Sequence, residues 1–164
     1  VQLGLTVKAA KSNFFDRAKV QSAVDKGTHK ILSKFGSYVR QRARTSLRYR
    51  QRSSIPGMAP SAHRTMVRTK TNKQGQQKKQ AVSPLREFTF FAFDRSRKSV
   101  VIGPALLNAK GSARALQALE YGGSSTIWQD GKRIQILVRA RPWMRPAFDE
   151  EQKQLPGLWK NSVR

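Results

Sequence analysis

Cysteine is missing altogether from this chain of 164 residues, and acid is scarce: nine Asp or Glu stand against 33 Lys or Arg, a formal charge of +24. Without cysteine there is no disulfide scaffold, no Cys-ligated zinc, no thiol redox chemistry and no Cys nucleophile. Long apolar runs are missing too. None approaches the ~18 residues that span a bilayer, so no membrane is expected among the partners. Val1 to Ala10 has no extended apolar stretch of the secretory kind, and the expectation is a protein made in the cytoplasm. The apolar fraction, 38%, lies below the globular average, with basic residues filling the deficit. At 18.5 kDa there is material for one domain with a core, not for two. Such a balance points to polyanions or acidic protein surfaces as partners.

The positive charge is concentrated. Between Asp25 and Glu87 there is no acidic residue but there are 16 Lys or Arg. Arg40, Arg42, Arg44, Arg48, Arg50 and Arg52 recur at nearly every second position. From Ser53 to Pro84 the chain is rich in Ser, Thr, Gln, Gly and Pro, with Arg64, Arg68, Lys70, Lys73, Lys78 and Lys79 scattered through it. That stretch has almost no apolar content and no means of building a core, so it reads as a long basic loop or arm over 49–85.

Elsewhere the periodicities are clear. Val20, Val24, Ile31, Phe35, Tyr38, Val39 and Leu47 follow helical spacing within Phe14 to Arg48, with Asn13 before Asp16 as a start signal. Gly27 and Gly36 each weaken that helix by roughly 1 kcal/mol relative to Ala, and a bend or break there is expected. Phe88 to Phe93 and Ser99 to Ile102 read as a hairpin about the polar turn Asp94 to Lys98. Ser112 to Tyr121 is helical and stops at Gly122-Gly123. Ser124 to Trp128 and Arg133 to Ala140 flank Asp130-Gly131, a strong hairpin signal. Pro142 opens a last helix to about Gln154, which Pro156-Gly157 ends, leaving 155–164 as a tail that carries Trp159. The expectation is one α+β domain over 1–164. An antiparallel sheet of about four strands, in two hairpins, is packed by a long N-terminal helix and two shorter ones.

Signs of catalysis are few. Gly103 to Gly111 lacks the spacing and the Gly-Lys-Ser/Thr of a phosphate loop. His29 and His63 are far apart and without clustered carboxylates, as surface histidines are. Asp149, Glu150 and Glu151 are adjacent on one helix and point to different faces, which suits solvated charges or ion pairs and not a carboxylate dyad. There is no nucleophile elbow. No enzyme, cofactor or metal site is expected. A nucleic-acid reading is stronger, because the Arg40 to Arg52 cluster interleaves with Tyr38 and Tyr49. No RNP, KH, helix-turn-helix or zinc-finger pattern accompanies it, so non-specific contact fits and base readout does not.

Four segments, in order, resemble the tailed-phage neck and tail-component proteins of the HK97 gp10-like family. These are the long amphipathic helix with its basic end; the loop Ser54-Ile-Pro-Gly-Met-Ala-Pro-Ser-Ala-His63; Ser83-Pro-Leu-Arg86 through Ser99-Val-Val-Ile-Gly-Pro104 with Ala118-Leu-Glu-Tyr-Gly-Gly123; and Ala140-Arg-Pro-Trp-Met-Arg-Pro-Ala-Phe148. Together they span roughly Val20 to Gln152. One departure is the polar stretch Arg64 to Ala81, where the family commonly has a Thr-Gly-x-Leu step. The resemblance implies a structural virion protein of the neck or tail, without catalysis. It implies a ring, hexamer or dodecamer, that joins head-completion or connector proteins to the tail around the DNA channel; a tail terminator is the alternative within the family. On this reading the arginines and lysines named above, from Arg40 to Lys79, meet DNA phosphates or an acidic neighbour. Glu120, Arg141, Trp143, Arg145 and Trp159 are candidates for the subunit interface, with a contact expected from Glu120 to Arg141 or Arg145. The alternative from another class is a small basic, non-specific nucleic-acid-binding protein of ribosomal or nucleoid character.

Overall fold

The computed structural model describes residues 17–105 and 113–160. The expected helix start at Asn13 to Asp16, the part of the Gly103–Gly111 stretch beyond Ala105, Ser112 and the tail residues 161–164 lie outside them. The described elements run α1 (Arg17–Ser46), β1 (Met66–Thr71), β2 (Gln77–Val82), α2 (Pro84–Glu87), β3 (Thr89–Asp94), β4 (Ser99–Pro104), α3 (Ala113–Tyr121), β5 (Gly123–Gln129), β6 (Lys132–Val138), α4 (Met144–Gln152) and α5 (Leu155–Trp159). The class is α+β, as the order of patterns implies. The strands, however, number six among the described residues, in three separate antiparallel hairpins β1–β2, β3–β4 and β5–β6, where four strands in one sheet were expected.

The additional hairpin lies inside the arm. Its strands MVRTKT and QKKQAV are exposed except at Met66 and Val82, so burial does not form it. Local chemistry does: the Asn72 side-chain oxygen accepts the amides of Gln74 (3.1 Å) and Gln76 (2.8 Å), and Gly75 takes φ 80° to close the turn. The arm is therefore an ordered ribbon where a coreless loop was expected.

Helix α1 runs unbroken for 30 residues through both glycines. The reason at Gly36 is the β3–β4 hairpin: a Cβ there would lie 2.7 Å from Val100 Cγ2 and 2.9 Å from Phe91 Cδ2. The position is thus a point of contact, and no break follows from it. Gly36→Ala should destabilise the fold by about 1–2 kcal/mol, since the overpacking exceeds the gain in helix propensity. A fall in the urea midpoint with an unchanged slope checks this.

The core is the buried stripe of α1, Phe35, Val39 and Ala43, continued by Leu47 just beyond its end and packed on Ala62, Trp143 and Ala147. Helix α4 begins at Met144, two residues beyond Pro142, because Trp143 is non-helical (φ −137°, ψ −29°). Pro156 does not stop a helix but sits in the first turn of α5, where its missing N–H costs nothing. Leu155 and Leu158 of α5 pack on the core, so the tail is in part a structural element. The β3–β4 turn is held by Asp94, whose carboxylate accepts the Ser96 hydroxyl (2.6 Å) and the amides of Ser96 (2.9 Å) and Arg97 (3.2 Å). The Ser96 hydroxyl above all, then the Arg97 amide, hold this carboxyl below its ordinary range.

Candidate functional site

Three of the short segments that carry the family resemblance meet at one corner. Gly122 ends α3 with φ 80°, and its Cα lies so close to the end of β6 that a Cβ would be 3.3 Å from the Ala140 nitrogen. The Arg141 amide donates to the Leu119 carbonyl (2.7 Å). The Glu120 carboxylate, buried, then accepts the amides of Trp143 (3.0 Å), Met144 (3.2 Å) and Arg145 (2.7 Å). These are orphan donors at the start of α4, and a negative group there is favoured by both hydrogen bonding and the helix dipole. The Pro-Gly loop joins the same corner: the Gly57 amide donates to the Ala140 carbonyl (2.9 Å) and the Arg141 guanidinium to the Ser54 carbonyl (2.9 Å).

The expected pairing of Glu120 with an arginine side chain is thus corrected. Glu120 meets the backbone of Arg145, while the Arg145 guanidinium pairs with Asp149 at 2.9 Å on its own helix. The physical reason is position: three amides converge on the carboxylate, and both guanidiniums have nearer acceptors. Trp143, 2% exposed, is enclosed by the chain's own core, and Trp159 is 38% exposed on α5.

The arginine cluster divides into two groups. On α1, Arg40 donates from Nε to the Thr89 carbonyl (2.8 Å) with its guanidinium over the Phe90 ring, Arg42 is paired with Glu151, and Arg44 lies 3.4 Å from Glu87. The bond from Glu151 raises the already high proton affinity of Arg42. Arg68 of β1 reaches the other oxygen of Glu87 at 2.6 Å. Arg64 and Arg86 lie over the Tyr49 ring, 4.4 and 5.0 Å from its centroid. Arg44 and Arg68 thus tie the arm to α1 through Glu87, while Arg40 and Arg42 tie α1 to β3 and α4. Sequence patterning missed Glu87 as the acid shared by Arg44 and Arg68, although it is the one acid between Asp25 and Asp94.

The second group points into solvent. Arg48, Arg50 and Arg52, beyond the end of α1, are exposed, as are Lys70, Lys73, Lys78 and Lys79 on the ribbon. Among the described residues none of these seven has a carboxylate partner. The described acids are nearly all engaged already: Asp25 with Lys98, Glu87 with two arginines, Asp94 in its turn, Glu120 at the corner, and Asp149, Glu150 and Glu151 each with its own cation. Little internal acid remains to neutralise the excess.

The β5–β6 hairpin has the opposite chemistry. Trp128 and Leu137 are 70% and 82% exposed on one face, while Ile127 and Ile134, directly paired, lie partly exposed on the other. Its Asp130-Gly131 turn has φ 50° and 73°, as the sequence signal implies. His29 packs edge-on against Phe93 at 4.6 Å. Among the described residues no three His, Cys, Asp or Glu side chains are grouped to hold a metal ion, and no helix is long and apolar enough to cross a membrane. No protein-family model, curated protein or solved structure matches this chain.

Proposed function

We propose that the chain is a structural virion protein of a tailed phage: a neck or tail-completion subunit that closes into a ring and joins the head connector to the tail around the DNA channel. One observation carries the reading. Two of the three hairpins, β1–β2 and β5–β6, stand with both faces largely uncovered. A two-stranded hairpin is marginal in water on its own, so surfaces of this kind belong to a chain completed by neighbours. The apolar β5–β6 hairpin has the chemistry of a subunit contact, with Trp128 and Leu137 as anchors. Supporting this are the ordered motifs of the HK97 gp10-like family, three of which meet at the Glu120 corner.

The alternative, a small basic nucleic-acid-binding protein, draws on the lysine ribbon and the exposed Arg48, Arg50 and Arg52, and leaves the exposed apolar hairpin without a role. Purified particles separate the two. The expected result is the chain at a fixed copy number, seen as a closed ring between head and tail. A chain absent from particles, which coats free duplex without defined stoichiometry, would establish the alternative.

A further inference from the structure

We infer that the β1–β2 hairpin is a DNA finger: a ribbon that enters a groove of duplex DNA and grips the phosphates on either side through Lys70, Lys73, Lys78 and Lys79, without reading sequence. The inference deepens the proposed ring by committing its basic arm to the DNA in the channel. It begins with the register. Lys70 stands directly opposite Lys78, one like-charge pair on one face, and Lys79 lies opposite Thr69 on the other face. Two ammonium groups across a hairpin repel, and no carboxylate among the described residues lies between them. An anion supplied from outside relieves that repulsion. Lys73 projects at the tip, on a turn held by the Asn72 side chain. Charge on both faces and at the tip suits a ribbon flanked by phosphates, whereas a ribbon lying flat on a surface needs charge on one face only. The major groove is wide enough, ~12 Å, to admit a two-stranded ribbon.

The rest of the finger chooses between nucleic acid and acidic protein. Between Arg68 and Gln80 there is no apolar side chain, only Lys, Thr, Gln, Asn and Gly beside Arg68. Protein interfaces concentrate aromatic and aliphatic groups at their centres and are depleted in lysine. Phosphate oxygens, by contrast, take hydrogen bonds from Lys, Thr, Asn and Gln in any order. Arg68, the residue best suited to bidentate base contact, is held at the root by Glu87. What remains is lysine, a point charge that positions without specifying.

The test uses the intact chain and two duplexes of unrelated sequence, with affinity measured across a range of salt concentrations. Each phosphate contact contributes about 0.9 to the slope of log affinity against log salt. Replacing the four lysines together, Lys70→Gln, Lys73→Gln, Lys78→Gln and Lys79→Gln, should lower the slope by about 3–4 and weaken binding on the order of 10³-fold at 0.1 M salt, equally for both duplexes. Thermal unfolding should be unchanged or shifted upward, which separates loss of contact from loss of fold. The inference is overturned if the slope stays the same. It is equally overturned if Arg48→Gln, Arg50→Gln and Arg52→Gln carry the loss instead, or if the lysines govern binding to polyglutamate and not to duplex. A chain that forms no ring yet loses DNA with the four lysines would sink the ring reading and leave the finger. A variant that builds rings and keeps the slope would do the reverse.

Discussion

Trp143→Ala should cost about 3–5 kcal/mol, the range for emptying a large aromatic site in a packed core. The ring sits where α1, the Pro-Gly loop and the start of α4 converge, among Phe35, Val39, Ala43, Leu47, Ala62 and Ala147. Three of those neighbours, Phe35, Val39 and Ala43, lie on one rigid helix that is also pinned to β3–β4 at Gly36, and Leu47 follows its last residue, so the cavity has little freedom to collapse. The companion variant sharpens the claim. The Trp143 indole N–H has no hydrogen-bond partner among the described residues. Trp143→Phe gives up part of the ring but also removes a buried donor that gains nothing from its surroundings. It should therefore cost clearly less than half as much as alanine. Urea unfolding followed by far-ultraviolet circular dichroism measures both; equal losses for Phe and Ala would mean that the indole N–H is satisfied after all.

Glu120→Gln is the second large effect, about 2–3 kcal/mol, from a change of one atom. Hydrogen bonds to a charged group are worth roughly 1.5–3 kcal/mol, and here one carboxylate serves three amides at a helix start. A glutamine keeps one acceptor oxygen and turns an NH2 group toward an amide that also donates. One N–H then faces a donor inside a buried corner, and the favourable charge at the α4 start is lost. Arg145→Ala provides the contrast, since it keeps the backbone amide and removes only an exposed pair with Asp149, worth ~0.5 kcal/mol or less. If Arg145→Ala were the more damaging, the carboxylate would be acting on the arginine side chain, as the sequence first implied.

How far these features can be read in the sequence depends on whether their cause is local. The long helix, the Asp-Gly hairpin and the Phe-rich hairpin follow from periodicity and turn chemistry, which neighbouring residues carry. The β1–β2 ribbon was missed because its strands bury nothing, and apolar alternation is the signal by which strands are recognised. Its cue was the Asn72–Gly75 turn that follows the threonine-bearing run Met66–Thr71. Gly36 was read as a weakness because propensity sees only the helix, whereas Val100 and Phe91 arrive from residues far along the chain. The split of the arginine cluster was not legible for the same reason. Whether Arg42 faces solvent or Glu151 depends on where α4 lies. Glu120, the one acid between Asp94 and Asp130, stands out in the sequence, but a side chain that serves backbone amides leaves no charge pattern to find.

The Glu120 corner also has a mechanical consequence. The carboxylate and the Arg141–Leu119 bond close the chain on itself just before and just after β5–β6. The hairpin is thereby built in at its root like a cantilever, while most of its span is exposed. Bending stiffness is concentrated in the anchorage, and the tip is left to take up load. In the proposed ring, each copy of the chain would therefore hold Trp128 and Leu137 out at the same angle before a neighbour arrives, so that their orientation does not have to be found during docking.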